Sequence, residues 1–149
     1  MSAFTPPASR QTNPESARIS SSSMIVSTGI DIVEVYRIRE TLTRTPRFRE
    51  RVFTEAERAY CDAKGATAGE SYAARFAAKE AVFKALKTGW RGNLSWQDIE
   101  VTITTLGAPE VMLRGKAAEL FAASGANRIH ISLSHTSEHA IAQIILERV

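Results

Sequence analysis

The stretch ESYAARFAAKEAVFKALK, residues 70–87, gives the strongest helix signal in the chain, and Gly89 is placed to end that helix. At about 100° per residue, one side of the helix carries an apolar stripe. The stripe consists of Tyr72, Phe76, Phe83 and Leu86. Lys79 and Glu80 fall inside it or at its edge, where a helix that only packs against a core would not carry charges. We therefore expect a buried helix with one polar edge, formed by Arg75, Lys79, Glu80 and Lys84.

The charges on this edge have two interpretations. Glu80 precedes Lys84 by four residues, the favourable order for a surface ion pair that contributes only ~0.2–0.5 kcal/mol. The plain alternative is thus a solvated salt bridge above an ordinary core. The functional interpretation is a site for a divalent metal bound together with phosphates, because carboxylate oxygens suit such a metal and lysines neutralise phosphate charge.

A second candidate site lies in MIVSTGIDIV, residues 24–33, which predicts a buried strand rich in β-branched residues. Asp31 is unusual there, since burying a carboxylate is costly unless it is paired or bound to a metal. Strand alternation places Asp31 on the face opposite Ile30 and Ile32. Gly29 beside it leaves room for a ligand or another backbone. The alternative is a solvated or capping Asp at a strand end.

The elements around these two segments predict an α+β fold, because helices lie mostly in the first half and strands mostly in the second. Further helices are predicted at 35–42, at 46–52, from 54 onward and at 115–124. Further strands are predicted at 99–103, 111–113, 129–133 and 140–146. Thr54 and Glu57 have the spacing of a capping box, and residues 65–69 predict a flexible loop.

Composition bounds the class of protein. The chain has 149 residues, 44% of them hydrophobic, which fits one globular domain. Residues 1–23 are rich in Pro, Ser and Thr, so we predict a disordered tail before a domain at 24–149, with a targeting segment as the lesser alternative. No apolar run reaches the roughly 20 residues of a membrane-spanning helix. With Cys61 as its single cysteine, the chain forms no internal disulfide, and we expect a cytoplasmic protein without a membrane partner.

The segment 37–51 is strongly basic, with six arginines against two glutamates in a chain of net charge +3. Four of the arginines would share one side if the segment stayed helical throughout, namely Arg37, Arg44, Arg47 and Arg51. Such a face suits an acidic protein partner. The alternatives are a solvated face or a small nucleic-acid-binding module, although that module leaves Asp31 and Glu80 unexplained.

Together, GIDIVEVYRI at 29–38 and RFAAKEAVFKA at 75–85 resemble the holo-acyl-carrier-protein synthase family, the short type of 4′-phosphopantetheinyl transferase. That family shows a G-x-D-[IV] strand near its start and an F-x-x-K-E-[AS]-x-x-K-A helix further along the chain. Thr88-Gly89 and ISLSHT at 131–136 also match, and the resemblance extends over 24–149. Ala108 stands where the family often has a lysine, so any ligand contact by that lysine is absent.

The resemblance implies a reaction in which coenzyme A and an apo acyl carrier protein give holo carrier protein and adenosine 3′,5′-bisphosphate. It implies Mg²⁺ as cofactor, held by Asp31 and Glu80 against the diphosphate of the substrate coenzyme A. The serine of the carrier attacks the β-phosphate. By the same resemblance Glu80, directly or through a water, is the candidate base for that serine, and Lys84 lies near the leaving phosphate.

Further assignments rest on the resemblance alone. Positions that bind coenzyme A, or order the site around it, correspond to Arg75, Lys79, Lys84 and His135. The surface on which the acidic carrier docks corresponds to Arg37, Arg44, Arg47 and Arg51. The family fold packs helices on an antiparallel sheet and assembles as a homotrimer, with His135 expected near the coenzyme of a neighbouring subunit.

Overall fold

The larger of two antiparallel sheets forms one side of the molecule. The computed structural model describes residues 22–87 and 94–149 of the chain. Three strands form this sheet in the order β1-β5-β4, with β1 at Met24–Glu34, β4 at Arg128–His135 and β5 at His139–Arg148. Neighbouring strands in the sheet are antiparallel, and Asp31 of β1 lies opposite Ala142 of β5.

Five helices and a smaller sheet complete the part of the chain that the structure describes. The smaller sheet pairs β2, Ile99–Ile103, with β3, Pro109–Leu113. The helices are α1 (Val35–Arg44), α2 (Pro46–Val52), α3 (Glu55–Asp62), α4 (Ala68–Ala85) and α5 (Gly115–Ala123). The α+β class and the antiparallel sheet predicted from the sequence are therefore confirmed.

Helix α4 lies at the centre of the fold, with most of its side chains buried. On one side it packs against the strands and α5, and on the other against α1 and the segments around α2 and α3. Small side chains allow this close approach, since Ala73, Ala77, Ala78 and Ala81 are fully buried. The sequence predicts one apolar stripe on this helix. The buried part of the helix surface is much wider, because neighbouring elements cover nearly all of it.

The contact between β1 and α4 is unusually close at Gly29. A Cβ atom added there would lie 2.0 Å from the carbonyl oxygen of Ala81 and 2.9 Å from the amide nitrogen of Ala85. Ser27 fixes the same crossing, because its hydroxyl donates a hydrogen bond of 2.7 Å to the carbonyl of Ala85. The room that the sequence predicts beside Asp31 is therefore occupied by another backbone.

We expect Gly29→Ala to destabilise the protein by at least about 1–3 kcal/mol, because an added methyl group would collide with the backbone of α4. The free energy of unfolding, measured by chemical denaturation, checks this. Gly125→Ala is the control for loss of a glycine, since open space surrounds that position, although its φ of +85° adds local strain. A loss below about 1 kcal/mol in Gly29→Ala would contradict a collision with the α4 backbone.

The capping box predicted at the start of α3 is confirmed. The Thr54 hydroxyl accepts a hydrogen bond from the Glu57 amide at 3.2 Å, and Glu57 Oε1 accepts one from the Thr54 amide at 2.9 Å. Helix α2 begins at Pro46 as predicted. These local signals depend on neighbouring residues only, which is why the sequence is sufficient to place them.

Other expectations need correction. Helix α4 begins at Ala68 rather than at residue 70, because a 3₁₀ turn at Gly65–Thr67 leads directly into it where a flexible loop was predicted. Strand β1 is not buried on both faces, since Ile30 and Ile32 are 61% and 62% exposed. The helix-ending role of Gly89 and nearly all of the predicted tail at 1–23 lie outside the described residues.

Candidate active site

Asp31 and Glu80 lie on neighbouring elements, where β1 crosses α4. The Lys84 ammonium donates hydrogen bonds to Asp31 Oδ1 at 2.8 Å and to the Ile30 carbonyl oxygen at 2.9 Å. Lys84 therefore pairs with the strand rather than with Glu80, so the plain alternative of a solvated Glu80–Lys84 salt bridge is not formed. Asp31 lies on the face of β1 opposite Ile30 and Ile32, as strand alternation predicts. That face packs toward α4, so the Asp31 side chain is directed at the helix.

The two carboxylates repel one another. Burial, followed by the charge of Asp31, raises the pKa of Glu80 above its usual value, and Lys84 opposes the shift. Two carboxylates with one lysine between them leave negative charge that a cation would offset. Mg²⁺ is commonly bound by one or two carboxylates, with water and substrate phosphate oxygens as its other ligands. Asp31 and Glu80 thus fit the predicted magnesium pair.

A groove of about 480 Å³ opens beside this pair, and we call it the Asp31 groove. Its walls include Asp31, Glu80, Arg37, Phe48, Phe76 and His139. The two aromatic rings pack on each other with centroids 5.9 Å apart, giving the groove an apolar wall next to its charged end. The groove can therefore place an apolar group of a ligand beside a bound metal.

A separate cavity of about 560 Å³, which we call the His135 cavity, contains other predicted site residues. Arg75 and His135 line it together with Tyr60, Lys64 and Ser71. Gly107 and Pro109, on either side of Ala108, also contribute to its wall. Three cationic or protonatable side chains in one cavity suit a phosphorylated ligand.

Arg75 is held at the wall of the His135 cavity without an acidic partner among the described residues. It is 3% exposed, and its guanidinium stacks over the Tyr60 ring at 4.0 Å from the ring centroid. One nitrogen donates to the Ser71 hydroxyl at 3.1 Å, whereas Nε is buried without a hydrogen-bond partner. A buried guanidinium with an unused donor has capacity left for an anion.

Lys79 is the clearest correction to the sequence-based site. Its side chain is fully buried and lies 2.7 Å from Glu57 Oε1 in an ion pair. Its ammonium also donates to the carbonyl oxygens of Ile99 at 2.6 Å and Trp96 at 3.1 Å. The direct coenzyme contact predicted for Lys79 is therefore wrong, since all these partners are internal. The other expected role, ordering the site, is compatible with this position.

The charged residues expected to share one polar edge of α4 therefore lie in three different environments. Arg75 reaches the His135 cavity, Lys79 points into the core, and Glu80 lies in the Asp31 groove. Because β1 and the segment at Trp96–Ile99 pack on different sides of α4, side chains close in sequence are sent in different directions. Sequence spacing identifies the charged positions on the helix but not the surroundings that each side chain enters.

The basic segment 37–51 does not form one continuous arginine face. Thr45 interrupts it with non-helical φ and ψ of −119° and 88°, so the two pairs of arginines belong to different helices. Arg37 and Arg44 are exposed on α1, and both form ion pairs within the helix or its cap, with Glu34 and Glu40. Arg37 also lines the Asp31 groove, so a basic side chain does lie beside the carboxylate pair.

Some residues of these sites carry no functional signal in the sequence. Glu57 is marked only as a helix cap, yet its second oxygen accepts a hydrogen bond of 3.0 Å from the Val101 amide. Tyr60 on α3 and Lys64, two residues after the end of α3, line the His135 cavity, and the Lys64 ammonium lies 4.7 Å from the Tyr60 ring centroid. Their spacing of four residues is the only pattern that links them before the fold is known.

Comparison with known proteins defines the class first. A sequence model of the 4′-phosphopantetheinyl transferase superfamily matches residues 27–144. A holo-[acyl-carrier-protein] synthase from Koribacter versatilis is 50% identical over 125 residues, which cover 83% of this chain and 99% of that protein. The enzyme of the same name from Geotalea daltonii is 46% identical, over 84% of this chain and 100% of that protein. The chain therefore belongs to the holo-acyl-carrier-protein synthase family of this superfamily, as its motifs predicted.

Solved structures agree with this assignment. The holo-(acyl-carrier-protein) synthase from Bacillus anthracis, in complex with CoA (3′,5′-ADP), is similar with a TM-score of 0.70 and 39% identity, over 85% of this chain and 99% of that one. The Helicobacter pylori enzyme in complex with coenzyme A has a TM-score of 0.69 and 32% identity, over 80% of this chain and 98% of that one. No helix among the described residues is long and apolar enough to cross a membrane.

Proposed function

We propose that this protein transfers the 4′-phosphopantetheine group of coenzyme A to a serine of an apo acyl carrier protein, releasing adenosine 3′,5′-bisphosphate. The observation that carries the proposal is the Asp31–Glu80 pair beside Lys84, in a chain of this family. The relatives named above are holo-acyl-carrier-protein synthases, and two of them are seen with coenzyme A or its nucleotide. None of them is a nucleic-acid-binding module, so that alternative has no support.

The residues around the carboxylate pair have distinct roles in this reaction. Asp31 and Glu80 would hold Mg²⁺, which when bound would supply a Lewis acid for the diphosphate. The serine Oγ bonds to the β-phosphorus as the phosphorus–oxygen bond to the leaving nucleotide breaks. Glu80 is the candidate group to accept the serine proton, directly or through a water. The half-exposed Lys84 places positive charge where the leaving phosphate gains negative charge.

The nucleotide part of coenzyme A is assigned to the His135 cavity. Arg75 supports the assignment through its unpaired Nε, and His135 and Lys64 add donors on the same wall. Lys84 remains a candidate contact for the diphosphate, since its side chain, which pairs with Asp31, is 54% exposed. An acidic side chain of the carrier protein could pair with Arg37, which lines the Asp31 groove.

A homotrimer would bring the two sites together. His135 lines one cavity and the carboxylate pair lines another, so one copy presents the predicted residues on separate surfaces. The outer face of the larger sheet carries exposed apolar side chains, with Ile30 and Ile32 on β1 and Ile141 on β5 opposite Ile32. An apolar sheet face of this kind is suited to contact a second copy of the chain.

We expect Ile32→Glu to convert the trimer into monomers and to remove turnover, because a charge would lie in the contact between copies. Light scattering coupled to size-exclusion chromatography measures the mass. Met112→Glu is the matched control, since Met112 is 47% exposed on β3 in the smaller sheet. A trimer that persists in Ile32→Glu would contradict the use of this sheet face.

We expect Arg37→Glu and Arg44→Glu together to weaken binding of the carrier by about tenfold or more, because an acidic partner would meet reversed charge. Coenzyme A binding should change much less. Calorimetry with each ligand separates the two effects, and Lys116→Glu on α5 is the control for a charge reversal elsewhere. Equal losses of carrier and coenzyme affinity would argue against a docking face at these arginines.

The intact mass of an apo carrier protein, after incubation with the enzyme, coenzyme A and Mg²⁺, tests the function itself. We expect a gain of one phosphopantetheine group, which is lost when a chelator is present. No gain with several carriers, together with no binding of coenzyme A, would overturn the proposal. The cytoplasmic location expected from the single cysteine stays a prediction.

A further inference from the structure

The carboxylate of Glu70 lies between two cationic or protonatable groups from different elements. Its Oε1 is 3.6 Å from a guanidinium nitrogen of Arg39 on α1, and its Oε2 is 3.8 Å from Nδ1 of His135 on β4. These are the ion-pair partners of Glu70 within residues 22–87 and 94–149. The Glu70 side chain is 14% exposed, so solvent screens these charges less than it would at the surface. Glu70 therefore joins α1, α4 and β4 at one point.

Arg39 is held against the first turn of α4 by packing as well as by charge. A Cβ atom at Gly69 would lie 2.5 Å from Arg39 Nε and 2.7 Å from its Cγ. The arginine side chain thus lies directly on the backbone of Gly69, next to the Glu70 that it faces. A side chain at position 69 would displace the Arg39 side chain from this position.

His135 connects the same carboxylate to the His135 cavity. The imidazole lines that cavity together with Ser71 and Arg75, which follow Glu70 on α4. Glu70 faces Nδ1 of the ring, so Nε2 is the nitrogen left for a ligand. At 3.8 Å the contact exceeds hydrogen-bond length, so the Glu70 carboxylate lies beside the ring without a direct hydrogen bond to it.

We propose that Glu70 is a positioning residue that holds the His135 imidazole toward coenzyme A, and that Arg39 holds Glu70 in turn. The proposal rests on the assignment of the His135 cavity to the coenzyme. A phosphate oxygen of the coenzyme is the group that Nε2 would meet. A histidine that is 48% exposed has freedom to rotate, and a neighbouring carboxylate restricts it.

A structural role for Glu70 makes a different prediction. Acidic residues in the first turn stabilise a helix through its dipole, and Glu70 lies in the first turn of α4. With that role alone, loss of its charge would change thermal stability and leave coenzyme binding unaltered. Glu55 also lies in the first turn of a helix, α3, which makes Glu55→Gln the control for loss of a first-turn charge.

The test compares Glu70→Met, His135→Ala and the double variant by calorimetric titration with coenzyme A and by steady-state kinetics. We expect Glu70→Met to weaken coenzyme binding about three- to tenfold, with KM raised and kcat largely kept. In the His135→Ala background, Glu70→Met should weaken coenzyme binding little further. Glu70→Gln, which keeps an acceptor oxygen, should recover part of the affinity, and Glu55→Gln should bind as the unaltered enzyme does.

Two further readouts keep the test decisive. The ¹⁵N shifts of the His135 ring report which nitrogen carries the proton, and Glu70→Met should change that balance. Arg39→Met should weaken coenzyme binding in the same direction if Glu70→Met fails to fold. Unchanged affinity in Glu70→Met, or losses that add fully to those of His135→Ala, would overturn the positioning role alone. Failure of the unaltered enzyme to bind coenzyme A would overturn it together with the proposed function.

Discussion

Glu80→Gln is expected to lower turnover by at least about 100-fold while the fold is kept. The amide has nearly the same shape as the carboxylate, but it cannot accept the serine proton and is a weaker ligand for Mg²⁺. Stability should not fall, because burial and Asp31 raise the pKa of Glu80 and make its ionised form unfavourable in the folded protein. That unfavourable contribution is absent below the pKa of the unfolded chain and fully present above the raised pKa. At neutral pH the glutamine removes it.

Mass spectrometry of the carrier measures turnover of Glu80→Gln, calorimetry measures Mg²⁺ binding, and denaturation measures stability. Asp31→Asn should show the same loss of turnover and metal affinity, because it removes the other carboxylate of the pair. Glu50→Gln is the control on an exposed glutamate of α2. Normal turnover in Glu80→Gln would rule out the assigned metal pair.

Lys79→Met is expected to destabilise the protein by about 3–5 kcal/mol, the effect of breaking a buried ion pair. The change leaves the Glu57 carboxylate buried without its counter-charge and takes a donor from the carbonyls of Ile99 and Trp96. Burial lowers the pKa of Lys79, and the charge of Glu57 opposes that shift. Chemical denaturation at neutral pH measures the free energy of unfolding.

A matched variant and a compensating one support this experiment. Lys84→Met removes a half-exposed lysine from the same helix and should cost only about 0–1 kcal/mol. Glu57→Gln added to Lys79→Met should restore part of the stability, because the amide removes the buried charge and keeps an acceptor for the Val101 amide. A loss of unfolding free energy below about 1 kcal/mol in Lys79→Met would contradict a stabilising role of the buried Lys79–Glu57 pair.

Features fixed by neighbouring residues were predictable from the sequence. The capping box of Thr54 and Glu57 and the start of α2 at Pro46 need no knowledge of the fold. Asp31 was also identifiable, because a carboxylate within an apolar strand needs a partner, and the structure supplies one in Lys84. The family motifs then connected Asp31 with Glu80.

Features that depend on which elements meet were not predictable. Lys79 and Glu80 are adjacent on α4, yet Lys79 is buried against Trp96 and Ile99 whereas Glu80 lies in the Asp31 groove. Glu57 and Val101 are joined across 44 positions of sequence. Local spacing contains no information about such contacts. The sequence therefore assigns Lys79 to the coenzyme and the isoleucines of β1 to a buried strand, although these isoleucines are exposed.

The separation of the His135 cavity from the Asp31 groove has a genetic consequence. Where each working site takes its carboxylate pair from one copy and its imidazole from the next, two defective alleles can complement each other. A cell that carries one allele lacking Glu80 and another lacking His135 would assemble some mixed oligomers with an intact junction. Growth of that cell, when neither allele alone supports it, would distinguish a shared site from one contained within a single chain.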